Sequence, residues 1–341
     1  MPIVRSVCPR DCYDTCSILT HVEGGRVVKA GGDPEDPITR GYLCVKCNHY
    51  LDILYHKERI LYPLKREGDA FVRVSWDAAL MEITDRFKAI MREDGGRAIL
   101  PFSYGGDYSI VGRRFAERLW HRMNTSQLEA TICISAGEAA LERTYGTCLG
   151  MDPLQLKGSR LFIAWGLNQR ETNLHGFNLT KDIHPYIVID PVRTSTADNA
   201  DLYLQVRPGT DSALAMGVMR VLIEEDLVDR KFIERYTKGY DALEGRVLSH
   251  SLPEISKITQ IPQGRIEDLA HLYTEHRPGA IHIGWGIQRN ANGGEMVSAI
   301  AMLPALTGQV GLKGGGLIYY NFGYYGLRDI SYPHLRTEEG Y

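Results

Sequence analysis

Short apolar runs alternate with amphipathic segments from about residue 70 onward. Four of these runs end in polar or glycine-rich loops: "LFIAWG", "YIVID", "LYLQV" and "GAIHIG". Stretches of helical spacing, such as "SALAMGVMRVLIEEDL", lie between them. Strands that alternate with helices are typical of a parallel, doubly wound sheet, so the pattern predicts an α/β fold. We predict a further strand in "RAILPFSYGG", which precedes the other four.

Two local signals predict elements in the first hundred residues. Gly24 and Gly25 separate two runs of strand-like residues and suit the tight turn of a β-hairpin. Ser75 precedes "WDAALMEITDRFKAIMRE" and can cap a helix that begins there. Helical spacing gives this segment one apolar face, formed by Ala79, Ile83, Phe87 and Ile90.

Composition and charge narrow the class of protein. The 341 residues are 44% hydrophobic and 24% charged, with a formal net charge of −3. This balance is ordinary for a globular protein and argues against nucleic acid as the main partner. We expect no transmembrane segment, since no apolar run approaches the ~18 residues of a membrane span. The N-terminus, "MPIVRSVCPRD", has neither an apolar stretch nor a twin arginine, so we expect a cytoplasmic protein.

Five of the seven cysteines fall in the first fifty residues. In a reducing compartment they are expected to serve metal or catalytic chemistry rather than disulfides. Cys8, Cys12 and Cys16 share one loop, and "GYLCVKC" later supplies Cys44 and Cys47. This is the layout of a [4Fe-4S] site, in which one loop provides three cysteine ligands and a distant part of the sequence provides the fourth. Cys44 and Cys47 also suit half of a zinc site, and unrelated thiols are a third interpretation, so spacing alone leaves the metal open.

Polar residues and glycines follow three successive predicted strands. In doubly wound sheets ligands bind at the carboxyl ends of the strands, so these positions predict a nucleotide pocket. No G-x-G-x-x-G is present, which argues against a plain nicotinamide or flavin site. Asp190 taken alone suits a helix cap or turn equally well. The strand-end residues are Gly166, Asn168, Asp190, Pro208, Gly209 and Asp211.

The order of several motifs carries a family resemblance. They are the cysteine cluster with "GYLCVK", then "ERILYPLKREG", "WGLN", "IVIDPVRTSTADNADLYLQVRPGTDSALAMGVMRVLI", "GWGIQR" and "LTGQVGLKGGG". Together they resemble the molybdopterin oxidoreductases of the dimethyl-sulfoxide-reductase superfamily. The resemblance implies a bis(pyranopterin guanine dinucleotide) cofactor with molybdenum or tungsten, and a [4Fe-4S] cluster near the N-terminus. It also implies two-electron redox chemistry or oxygen-atom transfer on a small-molecule substrate, with electrons exchanged with a ferredoxin-like or iron–sulfur subunit.

The resemblance assigns the N-terminal residues. It implies that Cys8, Cys12, Cys16 and Cys44 hold the cluster and that Cys47 is not a ligand. Lys46 matches a basic residue that the family places between cluster and pterin, where a cation can stabilise an electron in transit. The alternative for Lys46 is a solvated surface lysine.

The resemblance also assigns a protein ligand to the active-site metal. The loop "EATICISAGEAALERTYGTCLG" corresponds to the family's ligand loop, and Cys133 lies at the ligand position. A soft thiolate suits a metal that is already bound by sulfur. Ser135 is the alternative ligand, and Cys148 is expected to be a structural cysteine.

The remaining assignments concern the dinucleotide and the domains. The positions that match the family's cofactor contacts are Gly166, Asn168, Asp190, Pro191, Arg193, Thr194, Pro208, Gly209, Asp211, Gly284, Gly286 and Gln288. The implied fold is a small β-rich iron–sulfur domain over residues 1–57, followed by Rossmann-like parallel-sheet domains over residues 58–341. We expect residues 58–130 and 277–341 to form one subdomain, with residues 131–276 inserted.

Members of the family are much longer and bind the second pterin dinucleotide through a C-terminal domain. We therefore expect this chain to be a fragment or a split-gene product. Two alternatives to a catalytic module stay open at this point. One is a non-catalytic iron–sulfur electron carrier derived from the family, and the other is a zinc-stabilised binding protein.

Overall fold

A computed structural model of the chain describes residues 2–10, 14–103, 115–129 and 131–319. These residues form two compact units that divide at residue 131. The strands are β1 Ile3–Val7, β2 Ser17–Glu23, β3 Arg26–Gly32, β4 Leu64–Glu67, β5 Ala70–Arg73, β6 Leu161–Trp165, β7 Tyr186–Ile189, β8 Leu202–Leu204, β9 Gly279–Ile283 and β10 Gly316–Ile318. None of the described helices has both the length and the apolar character that crossing a bilayer requires.

The helices and helical turns occupy much of the remaining chain. The α-helices are Val45–Asn48, Tyr50–Leu54, Trp76–Glu93, Glu117–Arg122, Ser135–Tyr145, Gln169–Thr172, Leu174–Thr180, Asp211–Glu224, Arg230–Tyr236, Tyr240–Leu248, Leu252–Thr259, Gln263–Glu275 and Gly293–Leu306. The 3₁₀ turns are Gly96–Ala98, Pro153–Gly158, Ser195–Asn199 and Ile287–Arg289.

The first unit contains two small antiparallel sheets. One has the order β1-β2-β3 and the other pairs β4 with β5. The predicted hairpin is confirmed: Gly24 and Gly25 join β2 to β3 with φ values of 53° and 79°. Both lie in the left-handed region that a tight hairpin turn requires and that glycine enters without steric cost.

The predicted capped helix is also confirmed. It runs over Trp76–Glu93, and Ser75 Oγ accepts a hydrogen bond from the backbone N–H of Ala78 at 3.1 Å. Phe87, on the predicted apolar face of this helix, packs edge-to-face against Trp120, with the two ring centroids 6.0 Å apart. None of the residues of this helix is buried.

The strand predicted in "RAILPFSYGG" is wrong over the described residues 97–103. The backbone there forms the 3₁₀ turn Gly96–Ala98, and Ile99 N–H bonds back to the Gly96 carbonyl at 3.0 Å. The Ile99 carbonyl accepts from the Ser126 N–H at 3.0 Å, but no strand among the described residues pairs with this segment, so its apolar composition does not lead to a sheet. The rest of the motif lies outside the described residues.

The second unit contains a five-stranded sheet of order β10-β9-β6-β7-β8, and all of its neighbouring strands are parallel. This confirms the predicted α/β fold with a doubly wound sheet. The chain runs outward from β6 through β7 to β8, then returns to the other side of β6 for β9 and β10. The connections diverge between β6 and β9, which makes this edge the topological switch point where ligands bind in such sheets.

The sheet is buried on both faces. Along β6, Leu161, Ile163 and Trp165 belong to one core, which includes the helices Asp211–Glu224 and Gly293–Leu306. The alternate residues Phe162 and Ala164 belong to a second core on the other face. Two-sided burial explains why the strands are continuous apolar runs rather than alternating ones. β9, which begins at Gly279, pairs directly with β6. Strands from both sides of residue 277 therefore belong to one sheet.

The β6–β9 edge depends on close backbone contact. A methyl group at Gly284 would overlap the Gly166 carbonyl, so substitution must move one strand end. Gly284→Ala is therefore expected to lower the free energy of unfolding by about 2–3 kcal/mol, measured by chemical denaturation. Gly286→Ala is the matched control, since a methyl there meets no heavy atom within 4 Å. Equal stabilities for the two variants would contradict this account of the edge.

Candidate functional site

A group of thiols forms the centre of the first unit. Cys8 follows β1 and Cys16 precedes β2. Cys44 directly precedes the helix Val45–Asn48, and Cys47 lies within it. The Cys8 N–H donates to the Cys16 carbonyl at 2.8 Å, which brings together the two ends of the connection between β1 and β2. The Cys47 sulfur lies 3.3 Å from that of Cys8 and 3.8 Å from that of Cys44. Cys12 lies outside the described residues.

The surroundings of these thiols are largely apolar. Cys8, Cys16 and Cys47 are buried, and the Tyr50 hydroxyl lies 3.1 Å from the Cys8 sulfur. Burial, together with the neighbouring Cys8 thiol, raises the pKa values of Cys47 and Tyr50. Among the described residues, no three ligating side chains already converge on one metal position. The donor set of soft sulfurs nevertheless fits an iron–sulfur cluster.

Asp36 fixes the two segments that lead to the thiols. Its side chain is only 7% exposed and accepts three backbone N–H bonds, from Ser17 at 2.9 Å, Ile38 at 2.9 Å and Thr39 at 2.8 Å. Ser17 directly follows Cys16, whereas the other two donors belong to the loop that approaches Cys44. Burial opposes ionisation, but these donors lower the pKa of Asp36 to about 2. Sequence reasoning missed this carboxylate.

Lys46 lies on the short helix between Cys44 and Cys47, and its side chain is exposed.

In the second unit, the residues predicted for the dinucleotide gather at the carboxyl edge of the sheet. Gly166 follows β6 with φ 63°, and its N–H donates to the Ile189 carbonyl at 2.7 Å. Asn168 lies two residues further on, and its Oδ1 accepts from the Thr196 hydroxyl at 2.8 Å. The edge therefore joins the loops after β6 and β7 by direct hydrogen bonds.

Two of the predicted residues are buried carboxylates with partners inside the protein. Asp211 is 3% exposed and accepts from the Trp165 indole at 2.8 Å. Asp190 accepts from the Val192 N–H at 2.9 Å, as a turn residue does. Burial raises the pKa values of both acids, although these hydrogen bonds oppose the shift.

Other predicted residues leave polar groups available at this edge. The Arg193 guanidinium is exposed and lies 5.2 Å from the centre of the Tyr203 ring. The Thr194 hydroxyl is buried and, among the described residues, has no hydrogen-bond partner. An unpaired buried hydroxyl beside an exposed guanidinium fits a diphosphate, which would accept bonds from both.

The turns after β7 and β8 present backbone at the same edge. Pro191 is half-buried and Pro208 is exposed. Gly209 has φ 79°, and its carbonyl accepts from the Asn292 side chain at 3.3 Å. Asn292, which sequence reasoning missed, thereby connects the loop after β8 to the start of the helix Gly293–Leu306.

The segment after β9 divides into residues with different surroundings. Gly284 is buried against Gly166, so strand packing accounts for this glycine. Gly286 is exposed and open, as the approach of a ligand requires. Gln288 is buried, and its side chain bonds to the loop that carries Cys133.

The candidate metal-ligand loop also lies in the second unit. The Cys133 thiol is half-buried, and Arg289 Nη2 lies 3.8 Å from its sulfur. Ser135 is the first residue of the helix Ser135–Tyr145. Burial, followed by the charge of Glu138, raises the pKa of Cys148. Arg289 was not singled out from the sequence, although it ends the quoted motif "GWGIQR".

Comparison with known families decides what this arrangement is. Residues 59–337 match the sequence model of the molybdopterin oxidoreductases, and residues 1–56 match that of the molybdopterin oxidoreductase Fe4S4 domain. The chain belongs to the molybdopterin oxidoreductase family. The resemblance inferred from the motifs is thereby confirmed, and with it the expectation of a molybdopterin cofactor and a 4Fe-4S cluster in this family.

Individual relatives agree with this assignment. This molybdopterin oxidoreductase chain is 39% identical over 330 residues to the probable oxidoreductase YoaE of Bacillus subtilis, a match that covers 94% of this chain and 48% of the relative. It is 32% identical to dimethyl sulfoxide reductase DmsA of Haemophilus influenzae, covering 92% and 45%. The structure resembles acetylene hydratase from Pelobacter acetylenicus with a TM-score of 0.75 at 26% identity, covering 89% and 43%. The chain thus spans about half the length of the relatives it matches.

The pKa of Asp36 predicts a pH dependence for the first unit. Because the folded-state pKa lies near 2, below the ordinary value of 3.8, the ionised carboxylate stabilises the fold above pH 3.8. This contribution is lost as the pH falls toward 2. Asp36→Asn places an amide opposite the Ser17 N–H. The substitution should therefore lower the free energy of unfolding by about 2 kcal/mol at neutral pH and abolish the pH-dependent part of the stability that Asp36 contributes.

The measurement is denaturant unfolding of both proteins between pH 7 and pH 3, with the exposed hairpin residue Asp69→Asn as the charge-matched control. The account of Asp36 is wrong when the wild type and Asp36→Asn lose the same stability across this pH range.

Proposed function

We propose that this chain provides the cluster site and one pterin-dinucleotide site of a molybdenum or tungsten bis(pyranopterin guanine dinucleotide) oxidoreductase. The reaction is a two-electron redox step or oxygen-atom transfer on a small molecule, with electrons relayed through the [4Fe-4S] cluster. The observation that carries the proposal is the set of polar strand-end groups at the β6–β9 switch point, in the same unit as the Cys133 loop. An electron carrier would need the thiols but not this edge.

The chain's own residues bind and orient the dinucleotide at this edge. Arg193 and Thr194 donate to the diphosphate, and the exposed backbone at Gly286 allows a ring system to approach. Asp190 and Asp211 would accept from ribose hydroxyls or guanine N–H groups through the carboxylate oxygens that do not bond to Val192 and Trp165. Buried carboxylates supply strong, directional acceptors because water does not screen them.

The remaining strand-end residues shape the pocket rather than carry charge. Gly166 and Gly209 permit the left-handed turns that aim the loops at the ligand, and Pro191 and Pro208 stiffen those loops. Asn168 holds the first loop against the second through Thr196, so that both present their groups to one ligand.

In the first unit, we assign Cys8, Cys12, Cys16 and Cys44 as cluster ligands and Lys46 as the cation that assists electron exchange with the pterin. The position of Lys46, two residues after Cys44 on the same short helix, supports this role. The electron partner would be a ferredoxin-like or iron–sulfur subunit that approaches the cluster.

A pterin-bound metal at this site would supply the two-electron redox chemistry. Cys133 would hold that metal through its sulfur, as the one ligand from the protein. The Arg289 guanidinium donates toward the Cys133 sulfur at 3.8 Å, which helps to hold this side chain in place.

Metal analysis tests the proposal as a whole. Anaerobically purified enzyme should contain molybdenum or tungsten with pterin besides iron. Iron alone would identify a non-catalytic electron carrier, and zinc without iron–sulfur absorbance would identify a zinc-stabilised protein.

The cluster assignment predicts different outcomes for two neighbouring cysteines. The anaerobically purified protein should contain about four irons per chain. Cys44→Ser should remove most of this iron, because a serine oxygen is a poor ligand for the cluster. Cys47→Ser should retain it, although its sulfur lies beside those of Cys8 and Cys44. Iron content and visible absorbance measure both outcomes, with Cys148→Ser as the control. Iron lost from Cys47→Ser but kept in Cys44→Ser would reverse the assignment.

The metal-ligand assignment predicts a spectroscopic change. In metal-loaded enzyme, Cys133→Ala should lose one metal–sulfur interaction beyond those of the pterin dithiolenes, together with most activity. X-ray absorption at the metal edge measures the sulfur count, and Cys148→Ala provides the control. An unchanged count would move the ligand to Ser135 or away from this loop.

A further inference from the structure

The loop that carries Cys133 leads into a helix without a cap of its own. The helix Ser135–Tyr145 has Ile134 at the N-cap position, and an isoleucine side chain cannot accept a hydrogen bond. The first N–H groups of a helix have no partner within it and must find one elsewhere. The cap has to come from another part of the chain.

Gln288 supplies this cap from across the unit. Its Oε1 accepts from the Gly137 N–H at 3.0 Å. Its Nε2 donates to the carbonyls of Ile132 at 3.1 Å and Cys133 at 2.8 Å. One amide therefore holds the loop on both sides of Cys133, through both N–H donors and its oxygen. The side chain is 5% exposed, so water does not compete strongly for these bonds.

The position of Gln288 is itself fixed by rigid elements. It lies in the 3₁₀ turn Ile287–Arg289, just beyond the end of β9. Gly293 packs its backbone directly on that of Gln288, where any Cβ would overlap. β9 and the helix Gly293–Leu306 thereby fix the position of the Gln288 amide, and that amide fixes the position of the Cys133 backbone.

A second hold acts on the same loop. The Tyr319 hydroxyl donates to the Ile134 carbonyl at 3.3 Å, and Tyr319 occupies the space that a side chain at residue 137 would need. The loop is thus fixed at residues 132–134 and 137 by groups from distant parts of the sequence, and the Arg289 guanidinium follows Gln288 directly to meet the thiol.

We propose that Gln288 is a positioning residue for Cys133: its amide clamps the loop so that the thiol is presented at one place. The ligand role of Cys133 rests on the proposed function, whereas the clamp is a property of this chain. A metal ligand needs such a clamp, because a displacement of about 1 Å is enough to spoil a site whose supporting residues are loose.

The test replaces the amide by a side chain of similar size, Gln288→Met. Amide hydrogen exchange of the purified chain should be faster at Gly137 by about fivefold or more, as loss of one hydrogen bond implies. In metal-loaded enzyme, the metal–sulfur interaction from Cys133 should weaken or become disordered in X-ray absorption. Unchanged exchange at Gly137 together with an unchanged metal spectrum would overturn the proposal.

Gln309→Met is the matched control. Gln309 is fully buried, accepts from the Gly279 N–H and donates to the Tyr273 carbonyl, so it makes the same kinds of bond away from the loop. Gln309→Met should lower the free energy of unfolding by a comparable amount. It should leave amide hydrogen exchange at Gly137 and the X-ray absorption spectrum of the metal unchanged. Changes of equal size in both variants would reduce Gln288 to a general structural residue and refute the proposal.

Gln288→Glu separates the two halves of the clamp and serves when Gln288→Met does not fold. Its oxygen still accepts from Gly137, so exchange there should stay slow, while the lost donors release the Cys133 carbonyl and the metal spectrum changes. A wild-type spectrum in Gln288→Glu would refute the donor half. Faster exchange in Gln288→Met, combined with an unchanged sulfur count in Cys133→Ala, supports the clamp and refutes the proposed ligand.

Discussion

The close contact between the ends of β6 and β9 is the constraint on which the second unit depends. These strands are neighbours in the sheet, yet the chain leaves them in opposite directions. Gly166 and Gly284 allow the two backbones to meet without side chains between them. The Gly284 N–H donates to the Trp165 carbonyl at 2.8 Å, so the sheet is hydrogen-bonded to its last residue. Beyond that residue the loops separate, and the crevice between them is where a doubly wound sheet binds its ligand.

The first unit depends on a different balance. The buried apolar residues of its thiol group are Cys8, Cys16, Ile18, Leu43 and Cys47, so three of the five are cysteines. A core of this size contributes little hydrophobic stabilisation, and small domains of this kind usually need a metal or disulfides. A cluster that links the thiols would supply what the core lacks. Asp36 adds a second source of order, because its three backbone bonds fix the segments that lead to Cys16 and Cys44.

Periodic and local features were readable from the sequence, whereas long-range partners were not. Four sheet strands, the hairpin at Gly24 and the helix capped by Ser75 follow from patterns a few residues long, and all are confirmed. The strand predicted around Ile99 failed because an apolar run does not reveal whether a neighbouring strand exists. At Gly284 the sequence suggested the approach of a ligand, but it did not reveal the backbone contact with Gly166. The bond from Trp165 to Asp211 likewise joins residues that no local pattern connects. The assignment of ligands and cofactor contacts stays a prediction.

The six residues from Gly284 to Arg289 have two roles: they complete the edge of the sheet, and they position the loop that carries Cys133. Gly284 closes the sheet edge, Gly286 leaves backbone exposed beside it, and Gln288 holds the loop of Cys133. Because these residues share one turn after β9, a shift of the strand end must also move the amide of Gln288. The geometry of the dinucleotide edge and that of the ligand loop are therefore mechanically linked. Cofactor binding that orders the edge should order the loop as well, since the same backbone carries both.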